Sequence, residues 1–268
     1  MTCFVQVVAD STCAGHRITT FKLTYWRAIH GEFMTHRVFS RNASSSRAIP
    51  VSRVLGQVWA DPAGPIHWGA NQRGMQARSE LTGQHRTWAQ RLWRWAGRAA
   101  CGFAWGLMKL GLHKQVANRL LEPWQYITVV VTATDWDNFF ALRCHPDAQP
   151  EIRELADTMR GALARSVPKA LHAGEWHLPF VHLGDDPYWD PSVDEAVRVS
   201  VARCARTSYN NFDGEPPTLS SDLLLYDKLM GNEPRHASPA EHQATPCSGR
   251  HHNLTGWKSH RAFVEEQT

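Results

Sequence analysis

Thr35–Arg47, read as THRVFSRNASSSR, is the stretch on which the fold and chemistry of this chain turn. It gathers one imidazole, three guanidinium groups and four serines directly after a segment whose Trp26, Ile29, His30 and Phe33 recur at helical spacing. Serine hydroxyls, loop amides and forked guanidinium groups are the parts from which a phosphate cradle is built. A solvated polar loop is the plainer reading of the same letters, and SRNASSSR is expected as a loop closed by Pro50. Similar phosphate-binding parts recur at distant points of the chain, and that recurrence favours the cradle.

Outward from this stretch, FVQVVA (4–9) and RITTFKLTY (17–25) predict two strands joined by a turn at Ser11–Gly15. A helix from Arg27 to about Thr35 follows. Pro- and Gly-rich text from Asp61 to Arg73 predicts an irregular loop, and a long helix then runs from Met75 or Gln84 to Leu110. Trp88, Leu92, Trp95 and Ala99 share one stripe of that helix, the face expected to be packed. Gly111 ends it, and HKQVANRLL is a short helix stopping before Pro123. YITVVVTAT (126–134) is dense in β-branched residues and reads as a strand. Asp135 and Asp137 cap a helix holding NFFALR, and another helix spans about Asp147 to Val167. Pro- and Asp-rich text at 179–193 leads to a C-terminal part with a helix at DLLLYDKLM (222–230), a loop at PCSGRHHNLTG and a frayed tail from Glu265 to Thr268. No internal repeat is visible.

The signature resembles that of flavin-dependent thymidylate synthases, R-H-R-x-x-S-x-N-E-x-S-x-R. His36, Arg37, Ser40, Asn42, Ser45 and Arg47 match at the right spacing, while Thr35 stands for the first arginine and Ala43 for the glutamate. KQVANRLLEP resembles the family's A-R-x-x-L-P segment and puts Arg119 on its nucleotide-binding arginine. YITVVVTATDWDNFFALRCHPDAQPEI resembles the following strand and helix, which puts Arg143 on the arginine that orients the pyrimidine ring and Asn138 near the flavin. Thr134 replaces an arginine that touches flavin or folate. The family's opening segments, A-R-x-S-F and S-P-x-E-H, occur late in this chain as ARTSY (205–209) and SPAEH (238–242), as a circular permutation would place them.

The resemblance implies one α+β domain over residues 1–268, a twisted, mainly antiparallel sheet flanked by helices, circularly permuted. It implies transfer of a one-carbon unit from 5,10-methylenetetrahydrofolate to C5 of dUMP, giving dTMP, with FAD supplying hydride after reduction by NADPH in a homotetramer. Ser44, Ser45, Ser46, Arg47 and Arg119 would hold the nucleotide phosphate. Arg143, held against N3 and the carbonyl edge, would favour the N3 anion and make C5 nucleophilic. Thr35, His36, Arg37, Asn138 and His242 would border the flavin. Glu32 falls where the family usually has a glutamine near the nucleotide. A carboxylate accepts from the exocyclic amine of cytosine, so dCMP is an alternative substrate, with hydroxymethylation replacing methylation if water traps the exocyclic methylene.

The bulk numbers are compatible with this. A chain of 268 residues with 43% hydrophobic and 20% charged residues has the composition of a globular protein with a sizeable core. No apolar run nears the roughly 20 residues of a membrane span, and the N-terminus does not read as a signal peptide, so a cytoplasmic protein without a membrane partner is expected. Six scattered cysteines without a C-x-x-C pair read as reduced thiols and not as a zinc site. The formal charge is +4, and arginine far outnumbers lysine, which suits phosphate recognition or a GC-rich gene. Two other readings compete with this one. A zinc deaminase would use His30-Gly31-Glu32 and Pro246-Cys247, but Arg250 stands where its second cysteine belongs. A nucleic-acid-binding module would use Arg86, Arg91, Arg94 and Arg98 with Trp88, Trp93 and Trp95. Neither metal nor nucleic acid is expected.

Overall fold

The computed structural model describes residues 3–181, 189–207 and 217–266. The valine-rich segment is an inner strand of its main sheet. In chain order the elements begin with β1 (Cys3–Cys13) and β2 (His16–Trp26), a hairpin turning at Ala14 and Gly15, both at positive φ. A 3-10 turn (Arg27–Ile29) and the short α1 (His30–Phe33) lead to β3 (Ser40–Ala43). Then come α2 (Val51–Ala60), α3 (Gly83–Lys109), α4 (Lys114–Ala117), a 3-10 stretch (Asn118–Trp124) and β4 (Tyr126–Ala133). After these follow α5 (Asp137–Arg143), α6 (Pro150–Arg165), β5 (Lys169–Ala170), α7 (Val193–Ala205), α8 (Leu219–Gly231), the hairpin β6 (Ala244–His251) and β7 (Leu254–Ser259), and α9 (His260–Glu266).

One sheet of order β3-β4-β2-β1-β5 is antiparallel except for its β1/β5 edge, which is the mainly antiparallel, helix-flanked α+β arrangement expected. Period-2 alternation decides what each face meets. Phe21, Leu23 and Tyr25 of β2 and Ile127, Val129 and Val131 of β4 pack on Ile152, Leu155, Ala156 and Met159 of α6. The opposite face carries Ile18, Thr20 and Thr132. It is covered by Trp257, Leu254 and Ala244 from the C-terminal hairpin and by His177 and His242. A satellite core joins Val54 and Val58 of α2 to Cys101 and Ala104 of α3.

Three expectations are corrected. SRNA is an edge strand, β3, paired with β4 from Ser40↔Thr132 to Ala43↔Val129; its polar letters gave no alternation because an edge strand needs only backbone pairing. PCSGRHHNLTG lies in the β6–β7 hairpin, turning at His252 (positive φ) and Asn253. In α3 the face expected to be packed is the open one. Trp88, Leu92 and Trp95 are exposed, with Phe103 and Leu110 continuing along the same side, whereas Gly97, Cys101 and Ala104 are buried. Gly97 permits this, since a Cβ there would stand 3.0 Å from the Trp124 ring.

Candidate functional site

The end of α1 and the end of α5 meet at one guanidinium. Phe33 anchors α1 by stacking among Tyr25, Phe39 and Phe139, which turns Glu32 outward. The chain then tightens, with the Thr35 hydroxyl donating to the Glu32 carbonyl at 2.7 Å. His36 is buried, stacked on Phe39 and edge-on to Phe139. Arg143, the last residue of α5, donates from Nε to His36 Nε2 at 2.9 Å, from Nη1 to the Glu32 carboxylate, and from Nη2 to Thr35 Oγ1 at 3.3 Å. Since a guanidinium only donates, His36 Nε2 must accept, which fixes the Nδ1–H tautomer. Burial, and then Arg143 and Arg41, push the His36 pKa down to about 4, so the ring is neutral at pH 7.

Arg143 and Glu32 open into a cleft of about 1310 Å³. Trp26 and the α5–α6 connection form one wall, and His67, Gln76 and Arg78 of the 61–82 segment form the other. That segment is clasped in place. Leu81 N donates to Trp68 O at 2.7 Å, Ile66 N to Glu151 at 3.0 Å, and Gln76 Nε2 to Asp147 O at 3.0 Å. Its Trp68 meets Trp93, which also touches Trp26 and Trp124.

The serine run forms a second constellation, whose residues are not among those lining the cleft. The Ser44 hydroxyl accepts from Thr128 N at 3.1 Å, continuing the sheet, and Ser45 Oγ accepts from Arg47 N at 3.3 Å. Ser46 is buried and donates to Glu122 at 3.3 Å. Glu122 also takes Arg119 at 2.8 Å and Arg27 at 3.0 Å, so one carboxylate ties two arginines to the loop. Asn118, fully buried, shapes the loop by donating to the Ser46 and Ile49 carbonyls at 2.7 and 2.9 Å. Glu122 and Asn118 were missed by sequence reasoning. The only signal for Glu122 was its place three residues after Arg119, where helical side chains meet.

Of the remaining candidates, Arg37 and Asn138 are exposed. His242 is fully buried. Its Nδ1 bonds Thr132 Oγ1 at 2.8 Å, and its Nε2 has no partner among the described residues. It ends a buried chain from Ser11 to His177 (2.9 Å), Thr20 (2.8 Å), Thr132 (2.6 Å) and His242, made possible by the Thr20↔Thr132 register. Asn42 donates to the Cys204 carbonyl at 2.8 Å, joining the signature to the end of α7, where ARTSY begins. Ser208 and Tyr209 of that segment lie outside the described residues. Thr134 accepts from Thr255 N at 3.0 Å, under the β6–β7 hairpin. His30 Nδ1 is bonded to the Tyr25 hydroxyl at 2.9 Å. No helix among the described residues is long and apolar enough to cross a membrane.

Two solved structures resemble this fold, both of the UMP/dUMP methylase PolB from Streptomyces cacaoi. The form bound with 5-Br dUMP is 18% identical, with a TM-score of 0.48, over 61% of this chain and 90% of that one. The form bound with 5-Br UMP gives 18%, 0.48, 61% and 89%. Among curated proteins none matches. The family profile described as thymidylate synthase complementing protein matches residues 9–169, which takes in the signature, Arg119 and Arg143. That match covers more than half of the chain, so the chain belongs to the family of thymidylate synthase complementing proteins.

Proposed function

We propose that this protein transfers a one-carbon unit to C5 of a pyrimidine deoxynucleoside monophosphate bound in the Arg143 cleft, the family's form of the reaction being dUMP to dTMP. The observation that carries this is the state of Arg143. It is held by three protein acceptors in the wall of a cleft large enough for a nucleotide, and it keeps donors for a ligand. A cation fixed against N3 and a ring carbonyl stabilises negative charge on that edge and raises electron density at C5. His36, neutral and locked in one tautomer, is a positioning residue for Arg143.

The phosphate ligands we assign are Ser44, Ser45, Arg47 and Arg119, with Ser46, buried and bonded to Glu122, shaping the loop behind them. They lie outside the cleft lining of their own chain, which supports a site completed by a second copy, and the homotetramer is the assembly that the family resemblance implies. The exposed Trp88, Leu92, Trp95, Phe103 and Leu110 side of α3 suits the contact between copies.

Flavin fits these residues in part. Thr35, Arg37 and Asn138 are accessible and would hold it, whereas His36 and His242 are buried and would act from behind. When bound, FAD supplies hydride, methylenetetrahydrofolate the carbon, and NADPH the reducing equivalents. The chain's own part is to bind the nucleotide, fix its ring edge and exclude water. We also infer that the chain is circularly permuted relative to its family. Asn42–Cys204 and Thr132–His242 support this by tying the late segments to the early ones.

The test is turnover of dUMP and dCMP with all three cofactors, with products identified by mass to separate methyl from hydroxymethyl. Arg143→Lys, which keeps the charge but not the fork, should lose turnover at least tenfold while remaining folded. Failure of the unmodified protein to bind or turn over any pyrimidine nucleotide overturns the proposal.

A further inference from the structure

The hydrogen-bonding groups that the cleft offers to a base can be counted. A guanidinium has five N–H groups. Arg143 commits Nε–H to His36, one Nη1–H to Glu32 and one Nη2–H to Thr35, leaving one N–H on each terminal nitrogen. The Thr35 hydroxyl proton goes to the Glu32 carbonyl, so its oxygen is a pure acceptor towards Arg143. Glu32 also lines the cleft. Its Oε1 takes Arg143, and Oε2 is a second acceptor on the same carboxylate. The wall therefore offers two donors from Arg143 and one acceptor from Glu32.

Cytosine presents two acceptors, O2 and N3, followed by the N4 amine as donor. All three groups are complementary to this wall. Neutral uracil matches at O2 only, because its N3–H meets an N–H. Its N3 anion matches at O2 and N3, so in either form O4 is left facing the carboxylate.

We propose that Glu32 determines specificity for a cytosine-type base, so that the preferred nucleotide is a cytosine deoxynucleoside monophosphate. This rests on the reading above that Arg143 meets the pyrimidine edge. The test is calorimetric titration of the unmodified protein with dCMP, dUMP and the monophosphate of pyrimidin-2-one deoxyriboside, which keeps O2 and N3 but lacks the amine. On the order of tenfold to a hundredfold tighter binding of dCMP than dUMP is expected, with the pyrimidinone between them. Glu32→Gln, whose amide can donate to O4, should narrow or reverse the gap. Binding of dUMP as tight as or tighter than dCMP overturns the base assignment and leaves the nucleotide site standing. Binding of none of the three overturns the site itself and the assignment with it. The ligand series on the unmodified protein decides alone, so a variant that fails to fold does not blunt the test.

Discussion

Lowering the pH from 7 to 5 should cost this fold about 4 kcal/mol through two histidines alone. His177 and His242 lie fully buried in the hydrogen-bond chain across β2 and β4, and burial pushes both to about 3. In the unfolded chain they titrate near 6.5. As pH falls through 6.5 the unfolded state takes up protons and the native state does not. Stability is therefore full above about 6.5 and is lost progressively down to about 3. At pH 5 each ring has fallen about 1.5 pH units into that window, about 2 kcal/mol apiece, against a total of roughly 5–15 kcal/mol for an ordinary protein. His30 and His36, pushed down to about 4 mainly by burial, act with the same sign. Urea unfolding followed by tryptophan fluorescence at pH 7, 6 and 5 measures the loss. His177→Gln, whose amide can replace the bonds to Ser11 and Thr20, should remove close to half of the pH dependence due to this pair. Equal unfolding free energies at pH 7 and 5, or a full slope retained in the variant, would refute the reasoning.

Two further outcomes follow from the serine loop and the open helix face. Asn118→Ala leaves the buried Ser46 carbonyl and the half-buried Ile49 carbonyl without their donor. It should destabilise the protein by about 3 kcal/mol, read by urea unfolding, and weaken nucleotide binding through the loosened 44–49 loop; unchanged stability contradicts the role given to Asn118. Trp95→Glu puts a charge in the exposed apolar stripe of α3 and should shift sedimentation towards smaller species with little change in secondary structure, whereas an unaltered distribution places the contact between copies elsewhere.

Much of the fold was legible because local and tertiary preferences agree. The run of β-branched residues at 126–134 is a strand by propensity, and as an inner strand of the sheet it is also buried on both faces. The ends of α3 follow from its composition, but its covered side does not. The helix is apolar on two sides, and periodicity finds a stripe without saying what packs on it. No element was assigned to 193–205, where valines at 193, 197, 199 and 201 compete with helix formation. Burial of Val197, Val199, Ser200 and Val201, and capping of the first turn by Ser192, select the helix. Within the site, Glu32, Thr35, His36 and Arg143 were named from the resemblance, and they converge on one guanidinium. Glu122 and the Thr20–Thr132 link were not legible. The first depends on how the 3-10 stretch approaches the serine loop, and the second on a strand register joining residues 112 positions apart.

These same long-range contacts explain how the segment order we infer can differ from the family's without dismantling the site. Asn42 meets the Cys204 carbonyl, Thr132 meets His242, and Ile18 packs with Trp257. Each contact depends on where two segments sit in space and not on which comes first along the chain, because loop closure costs grow only slowly with the length of the connection. The constraint falls instead on the faces that meet. The C-terminal layer has to present an apolar hairpin and a neutral histidine to β2 and β4, and it does so with Trp257, Leu254 and His242. Arg143 is held from the opposite side of the sheet, on the α5–α6 layer, where its partners come from the α1 region alone. A reordering of the C-terminal segments therefore leaves the contacts of Arg143 with Glu32, Thr35 and His36 in place.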